Sequence, residues 1–175
     1  HKKASQIYSK PMKGTAPRGV TAREDHILTK KMQNDPKTLA ENVMIVDLIR
    51  NDLGRMSSQI TVPKLFEVET HPTVLQMTST VKGILKPKET VSSLIKNLFP
   101  CGSITGAPKI SSIKIIRRLE KDPRGIYTGA IGVFNPFFQT ALFNVAIRTV
   151  KISGKNGELG IGGGIVYDSN PRDEF

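Results

Sequence analysis

The stretch TVLQMTSTVKGIL, Thr73 to Leu85, alternates its side chains in the way that a β-strand does. Two sets of residues would lie on its opposite faces: Val74, Gln76, Thr78 and Thr80 on one, and Leu75, Met77, Ser79 and Val81 on the other. The preceding segment QITVPKLFEVET is also extended in character, and its Pro63 lacks the N–H that an inner strand needs. The sequence therefore predicts two strands here, the first of them an edge or bulged strand.

A long helix is predicted just before these strands, over NDPKTLAENVMIVDLIRNDLGRMS. Asp35 can cap its first turn, Pro36 suits its first position, and Gly54 can end it. Apolar residues recur at helical spacing and define the expected buried face: Leu39, Val43, Val46, Ile49 (or Arg50) and Leu53.

The second half of the chain adds helices and glycine-punctuated strands. Helices are predicted in KETVSSLIKNLF and PKISSIKIIRRLEK, the latter starting at Pro108 with Ile110, Ile113, Ile116 (or Ile115) and Leu119 inward. Strands are predicted in GIYTGAIGVFN, TALFNVAIRTVKIS and ELGIGGGIVYDS, and SGKNGE is typical of a tight hairpin turn. Strands near both ends enclosing helical regions indicate an α+β fold with antiparallel sheets.

The formal net charge of +11 favours an anionic partner. The basic residues are scattered, and the aromatic residues form no RNA-binding signature, so we expect no nucleic-acid partner; a basic nucleic-acid-binding module is the alternative of a different class. No apolar run approaches the roughly 20 residues of a membrane span. The single cysteine, Cys101, fits a reducing cytoplasm. The chain starts without Met and ends in a charged stretch, so we expect a fragment cut at both ends, and an inactive piece is a further alternative.

Candidate chemistry begins with Lys13, which lies in KPMKGTAPRG among prolines and glycines that shape a loop or a strand end. Taken alone it fits a solvated surface charge. In GSITGAPK, Thr105 precedes a helix start whose free N–H groups suit an anion, although the segment taken alone favours an ordinary capped helix with Pro at its first position. The run Gly162, Gly163 and Gly164 within a strand pattern indicates either backbone N–H groups close to an anion or a bulge.

Three further positions carry charged or polar groups in apolar surroundings. Arg148 in VAIRTV, if buried, requires an anionic partner, either an internal acid or a ligand carboxylate. Tyr127 in GIYTGAIG offers a hydroxyl among small residues, or simply packs. Glu41 leads the most apolar turn of the long helix, where an acid is paired or bound to a metal, and Glu174 is a second acid near the end of the chain.

These segments together resemble the chorismate-utilising enzymes. The matching motifs occur in the family's order: PMKGTAPRG, AENVMIVDLIRNDLGR, GSITGAPK, YTGAIG, IRT and GGGIVYDSNPRDE. The resemblance implies two antiparallel sheets sandwiching helices around a deep site, with residues 1–175 forming part of one chorismate-binding catalytic domain. It also implies chorismate as substrate and Mg²⁺ as cofactor.

By motif match, each candidate residue receives a role. Arg148 and the backbone of Gly162, Gly163 and Gly164 would hold the substrate carboxylates. Tyr127 and Thr105 would line the same pocket, with Thr105 among the catalytic groups. Magnesium would be bound by Glu41 and Glu174. Gln76 is also assigned to the catalytic groups: it stands where many relatives carry a histidine, and an amide can position a hydroxyl or water but cannot shuttle protons.

Lys13 distinguishes two branches of this family. Anthranilate synthases carry a small residue at the matching place, whereas aminodeoxychorismate synthases carry a lysine. The resemblance therefore implies that chorismate and ammonia react through a covalent lysine adduct, and that a glutamine amidotransferase subunit or domain supplies the ammonia. Anthranilate synthase is the alternative within the family.

Overall fold

The structure, a computed structural model, describes residues 5–167, 169, 170 and 172. The chain packs as two compact units, His1–Leu98 and Phe99–Phe175. The first unit contains β1 (Gln6–Ser9), β2 (Met12–Pro17), α1 (Ala22–Gln33), α2 (Pro36–Gly54), β3 (Ser57–Thr70), β4 (Val74–Leu85) and α3 (Val91–Leu98). The second contains α4 (Gly102–Thr105), α5 (Lys109–Leu119), β5 (Ala130–Asn135), β6 (Thr140–Val145), β7 (Val150–Ser153) and β8 (Asn156–Leu159).

Strand β4 is the centre of the four-stranded sheet in the first unit. It pairs antiparallel with β3 along one edge and with β1 and β2 along the other. Pro63 lies on β3 where the register shifts between Thr61 and Lys64, so the predicted edge strand with an irregularity is confirmed. The predicted alternation of β4 is also confirmed, because Leu75, Met77 and Val81 are fully buried in the apolar core.

Helix α2 packs on this sheet and begins as predicted. Asp35 accepts a hydrogen bond from the backbone N–H of Thr38 at 2.8 Å, and Pro36 is the first helical residue. The predicted buried face is wrong at Val43, which is 48% exposed. An almost uniformly apolar stretch allows more than one helical face, and the observed core is formed by Ile45, Val46, Ile49, Leu53, Met56 and Val81.

Helix α1 has no counterpart among the predicted helices. Thr21 caps it by accepting a hydrogen bond from the N–H of Glu24 at 3.2 Å, and the Glu24 side chain accepts one from the N–H of Val20. The helix is strongly polar, and Met32 is its one buried residue. Its capping pattern was the available sequence signal, since the apolar periodicity is weak.

The helices of the second unit differ in detail from the prediction. A single turn, α4, forms inside the segment predicted as a loop, and α5 begins at Lys109 rather than at Pro108. Ile113 and Ile116 are partly buried. Ile110 and Leu119 are 70% and 76% exposed, so their predicted inward position is wrong; they lie in the first turn and at the last residue of α5, a helix with no buried residue.

Two antiparallel hairpins complete the second unit. Strands β5 and β6 pair from Ala130–Val145 to Asn135–Thr140, and β7 and β8 are joined by a two-residue turn after Ser153, as SGKNGE predicts. The α+β class with antiparallel sheets is confirmed. Across the described residues, no helix combines the length and apolar character needed to span a membrane.

Candidate active site

Strand β2 carries a β-bulge at Lys13 and Gly14. Between Met12 and Thr15, β2 takes three residue steps while its partner β4 takes two. Gly14 has φ +96°, a conformation that glycine adopts without the steric cost that a side chain would add. Because a bulge redirects the side chains next to it, this extra residue sets the direction of Lys13.

The redirected Lys13 side chain meets Glu41 of helix α2. The distance from Lys13 Nζ to Glu41 Oε2 is 3.7 Å, and the two side chains are 25% and 24% exposed. A pair that is open to water contributes at most about 1 kcal/mol to stability. The pair therefore adds little to stability, and it places an amine and a carboxylate together where a ligand can reach them.

Gly14 also lets α2 approach β2 closely. A Cβ atom at this position would lie 2.6 Å from Thr38 Cγ2 and 3.5 Å from Met77 Cβ. Thr38 itself belongs to the helix cap, since its hydroxyl donates to the Asp35 carboxylate. The absence of a side chain at position 14 thus brings the turn that carries Glu41 near to Lys13.

Gln76 lies on the central strand and is 7% exposed. It registers with Thr15 of β2 and Glu69 of β3, and directly opposed residues in a sheet share a face. Its neighbour Met77 packs on the face that carries α1 and α2. Gln76 therefore leaves the sheet on the face opposite α2, and its catalytic role stays a prediction.

In the second unit, Thr105 ends the short helix α4. It is 9% exposed, and its hydroxyl donates to the backbone carbonyl of Cys101 at 3.3 Å. This bond is internal to the turn, and Gly106 follows it with φ +87°. The geometry favours a structural use of this hydroxyl, and the catalytic assignment stays a prediction.

Tyr127 and the first glycine of the glycine run lie together. Tyr127 is in a turn before β5 rather than in the predicted strand. A Cβ atom at Gly162 would lie 2.6 Å from the Tyr127 hydroxyl, and one at Gly160 would lie 2.3 Å from the Tyr127 ring. A side chain at position 160 would collide with the body of the tyrosine, whereas at position 162 it would meet the hydroxyl at the tip of that side chain.

The glycine run is not part of a strand. Strand β8 ends at Leu159, and Gly162, Gly163 and Gly164 have no regular secondary structure and are exposed. The predicted strand over ELGIGGGIVYDS is therefore wrong over residues 160–167, since glycine disfavours strand pairing. Outside a ladder, backbone N–H groups of such a segment are suited to an anion.

Arg148 is exposed and lies in a bend, so the prediction that places it within an apolar strand is wrong. The β6 ladder ends at Val145, and the next residue, Ala146, is buried and exchanges backbone hydrogen bonds with Thr128 and Gly129. This turn interrupts the predicted strand, and Arg148 adopts φ +51° within it. An exposed guanidinium needs no internal acid and remains suited to a ligand carboxylate.

The sequence interpretation missed Arg124. Its guanidinium donates two hydrogen bonds to the Glu120 carboxylate, at 2.7 and 2.6 Å, and lies 6.0 Å from the centre of the Tyr127 ring. The bidentate bond from Arg124 lowers the pKa of Glu120, and the same bond raises the pKa of Arg124. The four-residue spacing from Glu120 to Arg124 was the only signal in the sequence, and it is a common one.

A small cavity opens beside this arginine. Its walls include Arg124, Tyr127, Ala146, Thr149, Lys151 and Gly160. Within the part of the chain that the structure describes, no three His, Cys, Asp or Glu side chains come close enough to hold a metal ion. Of the two predicted magnesium ligands, Glu41 is described and Glu174 lies outside the described residues.

Comparison with known proteins gives consistent matches. The family described as chorismate binding enzyme matches residues 1–175. An aminodeoxychorismate synthase of Streptomyces griseus is 46% identical over 172 residues, which cover 97% of this chain and 24% of that protein. An anthranilate synthase component 1 of Leptospira biflexa is 42% identical over 174 residues, which cover 97% of this chain and 37% of that protein.

A solved structure agrees with these matches. Anthranilate synthase component I from Streptococcus pneumoniae superposes with a TM-score of 0.79 at 36% identity, over 97% of this chain and 37% of that one. The chain thus spans 24% and 37% of the length of the two curated relatives. Since the family match covers every residue, the chain belongs to the chorismate binding enzyme family.

Proposed function

We propose that this chain is the lysine-bearing part of an aminodeoxychorismate synthase, which converts chorismate and ammonia to 4-amino-4-deoxychorismate for p-aminobenzoate and folate synthesis. The observation that carries the proposal is the placement of Lys13. A bulge directs this amine towards Glu41, and a quarter of its side chain is accessible. The relative from Streptomyces griseus with that name, at 46% identity, supports the same branch.

In the proposed reaction Lys13 acts as a nucleophile. Its neutral amine adds to the far end of the ring's conjugated double bonds, at the carbon beside the one that carries the ring carboxylate; the two double bonds shift, and the 4-hydroxyl leaves as water with a proton from the amine. Ammonia then adds at the former hydroxyl carbon, the double bonds shift back, and the lysine amine leaves with a proton from the added ammonia. Two displacements replace one, and the amino group arrives at the carbon that lost the hydroxyl.

Other residues of the chain would bind and orient the substrate. The N–H groups of Gly162, Gly163 and Gly164 and the guanidinium of Arg148 are suited to its carboxylates. Tyr127 supports the glycine segment from one side. Gln76 projects from the sheet face opposite Glu41, so we propose for it only the positioning of a hydroxyl or a water molecule on that face, since an amide does not titrate.

Magnesium fits the donor set in part. Mg²⁺ takes one or two protein carboxylates and completes its shell with water and substrate oxygens. The Glu41 carboxylate, 24% exposed, meets that requirement, and Glu174 would be the second ligand. When bound, the ion would neutralise a substrate carboxylate and polarise the departing hydroxyl.

The ammonia source and the location belong to this proposal as well. A glutamine amidotransferase subunit or fused domain would deliver ammonia to the site, and the reaction would take place in the cytoplasm. In an assay, ammonium salts supply the ammonia in place of the glutamine amidotransferase, so the chorismate-converting enzyme can be tested without that partner.

The test is Lys13→Ala in the intact enzyme, with Lys10→Ala as the matched control three residues away. Lys10 pairs with Glu69 and is half exposed, so its loss should leave the chemistry unchanged. With chorismate and no ammonia, mass spectrometry should find a chorismate-derived mass on the peptide that contains Lys13. Loss of that adduct and of at least about 100-fold of the activity is expected for Lys13→Ala only.

Full activity of Lys13→Ala without an adduct would contradict this mechanism. Anthranilate synthase is the second candidate, favoured by the relative from Leptospira biflexa at 42% identity. Chromatography of the product of the parent enzyme separates the two, since anthranilate and 4-amino-4-deoxychorismate differ in mass and fluorescence.

A further inference from the structure

Arg124 contacts three residues, of which Tyr127 is one and its neighbour Thr128 another. Its guanidinium holds Glu120 through two hydrogen bonds, lies 6.0 Å from the centre of the Tyr127 ring, and reaches the Thr128 hydroxyl at 3.4 Å. The Arg124 side chain is 27% exposed, so most of it is packed. One arginine therefore links the end of α5 to the turn that carries the tyrosine.

Tyr127 in turn restricts the segment that leads into the glycine run. A Cβ atom at Gly160 would lie 2.3 Å from the Tyr127 ring, and one at Gly162 would lie 2.6 Å from the Tyr127 hydroxyl. The tyrosine thus forms a wall against which the backbone of residues 160–162 rests. A change in the position of the ring changes where this backbone lies.

We propose that Arg124 is a positioning residue for chorismate binding, acting through Tyr127 on the glycine segment that receives a substrate carboxylate. This inference rests on the proposed function, because it uses the assignment of Gly162, Gly163 and Gly164 to that carboxylate. Arg124 touches no reacting atom in this assignment. Arg124 holds the Tyr127 ring in position, and the ring in turn holds the backbone N–H groups of the glycine segment in position.

The chemistry of the contacts requires an arginine. A planar guanidinium can hold a carboxylate with two parallel hydrogen bonds and present its flat face to an aromatic ring at the same time, whereas a lysine ammonium is a point charge on a flexible stem. An ion pair alone at this exposure contributes little stability. The geometry is thus better suited to orienting Tyr127 than to holding the fold.

The test compares Arg124→Lys with Arg117→Lys in the intact enzyme, with ammonium salt as the second substrate. Arg117 is an exposed arginine on α5, so its change makes the same chemical substitution away from Tyr127. For Arg124→Lys we expect KM for chorismate and the dissociation constant of chorismate without ammonia to rise about tenfold, with kcat within about twofold. KM for ammonia and the identity of the product should not change, and Arg117→Lys should match the parent.

A second variant, Glu120→Gln, keeps the shape of the partner and removes its charge. Glu120→Gln should also raise KM for chorismate, by a smaller factor than Arg124→Lys does. If Arg124→Lys yields no folded enzyme, the proposal is tested with Glu120→Gln instead. Chorismate affinity within about twofold of the parent in the folded variant, or a loss of active enzyme with unchanged KM, would overturn the proposal. A parent that forms anthranilate would overturn the proposed function alone, because chorismate binding is measured separately from the product.

Discussion

Gly14 is the residue on which the position of Lys13 depends. Its φ of +96° is unfavourable for any residue with a Cβ, and a Cβ atom here would lie 2.6 Å from Thr38 Cγ2. Strain of this kind costs on the order of 1–3 kcal/mol, and the contact with Thr38 adds to it. A small side chain here therefore affects both the fold and the approach of α2.

We predict that Gly14→Ala lowers the free energy of unfolding by about 2–4 kcal/mol, because backbone strain and a steric clash act together. Urea unfolding followed by circular dichroism measures this. Gly154→Ala is the control, since Gly154 has φ +60° but open space around its Cβ position, and it should cost only about 1 kcal/mol. Equal losses for the two variants would show that the clash is absent.

The contacts of Asp25 predict how the stability of the protein changes at acidic pH. Its carboxylate accepts hydrogen bonds from the Arg18 guanidinium, including 2.9 Å from Nε, and from the N–H of Gly19. The hydrogen bond from Arg18, then that from Gly19, lowers the pKa of Asp25 in the folded protein below the value of about 3.9 expected when unfolded. Its contribution to stability is complete above that value and is lost as pH falls through the folded pKa.

We therefore expect Asp25→Asn to be less stable than the parent at pH 7, with a difference that shrinks as pH falls below about 4. Urea midpoints measured across this range give the difference at each pH. Asp122→Asn, at an exposed position of the second unit, is the control and should follow the parent throughout. A difference that stays constant down to the acid transition would mean that the Arg18 contact does not perturb Asp25.

At the residue scale, reactive residues that lie within a recognisable motif were predicted from the sequence. Residues whose role depends on contacts made in the folded protein were missed. Lys13 was identified from PMKGT, and the structure gives it a carboxylate partner at 3.7 Å. Arg124 was missed because its use depends on where the Tyr127 ring lies. Arg148 was predicted to lie within a strand, but the backbone hydrogen bonds of Ala146 end that strand before it.

Helix α2 provides the element-scale prediction. Asp35 accepts the N–H of Thr38 at 2.8 Å, and losing such an N-cap costs about 0.5–2 kcal/mol. We expect Asp35→Ala to lower the free energy of unfolding by about 1 kcal/mol. It should also reduce activity, because loss of the cap loosens the first turns of α2, which carry Glu41. Chemical denaturation and a chorismate assay measure the two effects.

Asp47→Ala is the matched control for this cap. Asp47 lies on the exposed face of the same helix, paired with Arg50 at 3.2 Å, and an exposed pair three residues apart contributes little. A stability loss equal to that of Asp35→Ala would mean that removal of any acid from α2, rather than loss of the cap, explains the effect.

Elements with strong local signals were predicted well. Helix α2, strands β3 and β4 and the β7–β8 turn follow from capping residues, periodicity and turn chemistry within a few residues of each feature. Where strands end was predicted poorly in the second unit. The end of β6 depends on the hydrogen bonds of Ala146 with Thr128 and Gly129, about 17 residues away in sequence, which no local pattern reports.

At the scale of the whole molecule, the candidate residues divide between two units. The first unit holds Lys13, Glu41 and Gln76, and the second holds Thr105, Tyr127, Arg148 and the glycine run. The family and the α+β class were predictable because motifs in order along the chain carry them. The enclosure of helices between two sheets and the single catalytic domain stay predictions.

The bulge on β2 has a consequence for how enzymes of this kind diversify. Its kink is made by main-chain register and by Gly14, and the amine of Lys13 takes no part in building it. A different side chain at position 13 would point in the same direction without any change in the backbone of β2. Under the proposed chemistry, the residue at position 13 alone then separates the formation of 4-amino-4-deoxychorismate from that of anthranilate. Ancestral sequence reconstruction should find that the bulge with Gly14 arose before Lys13.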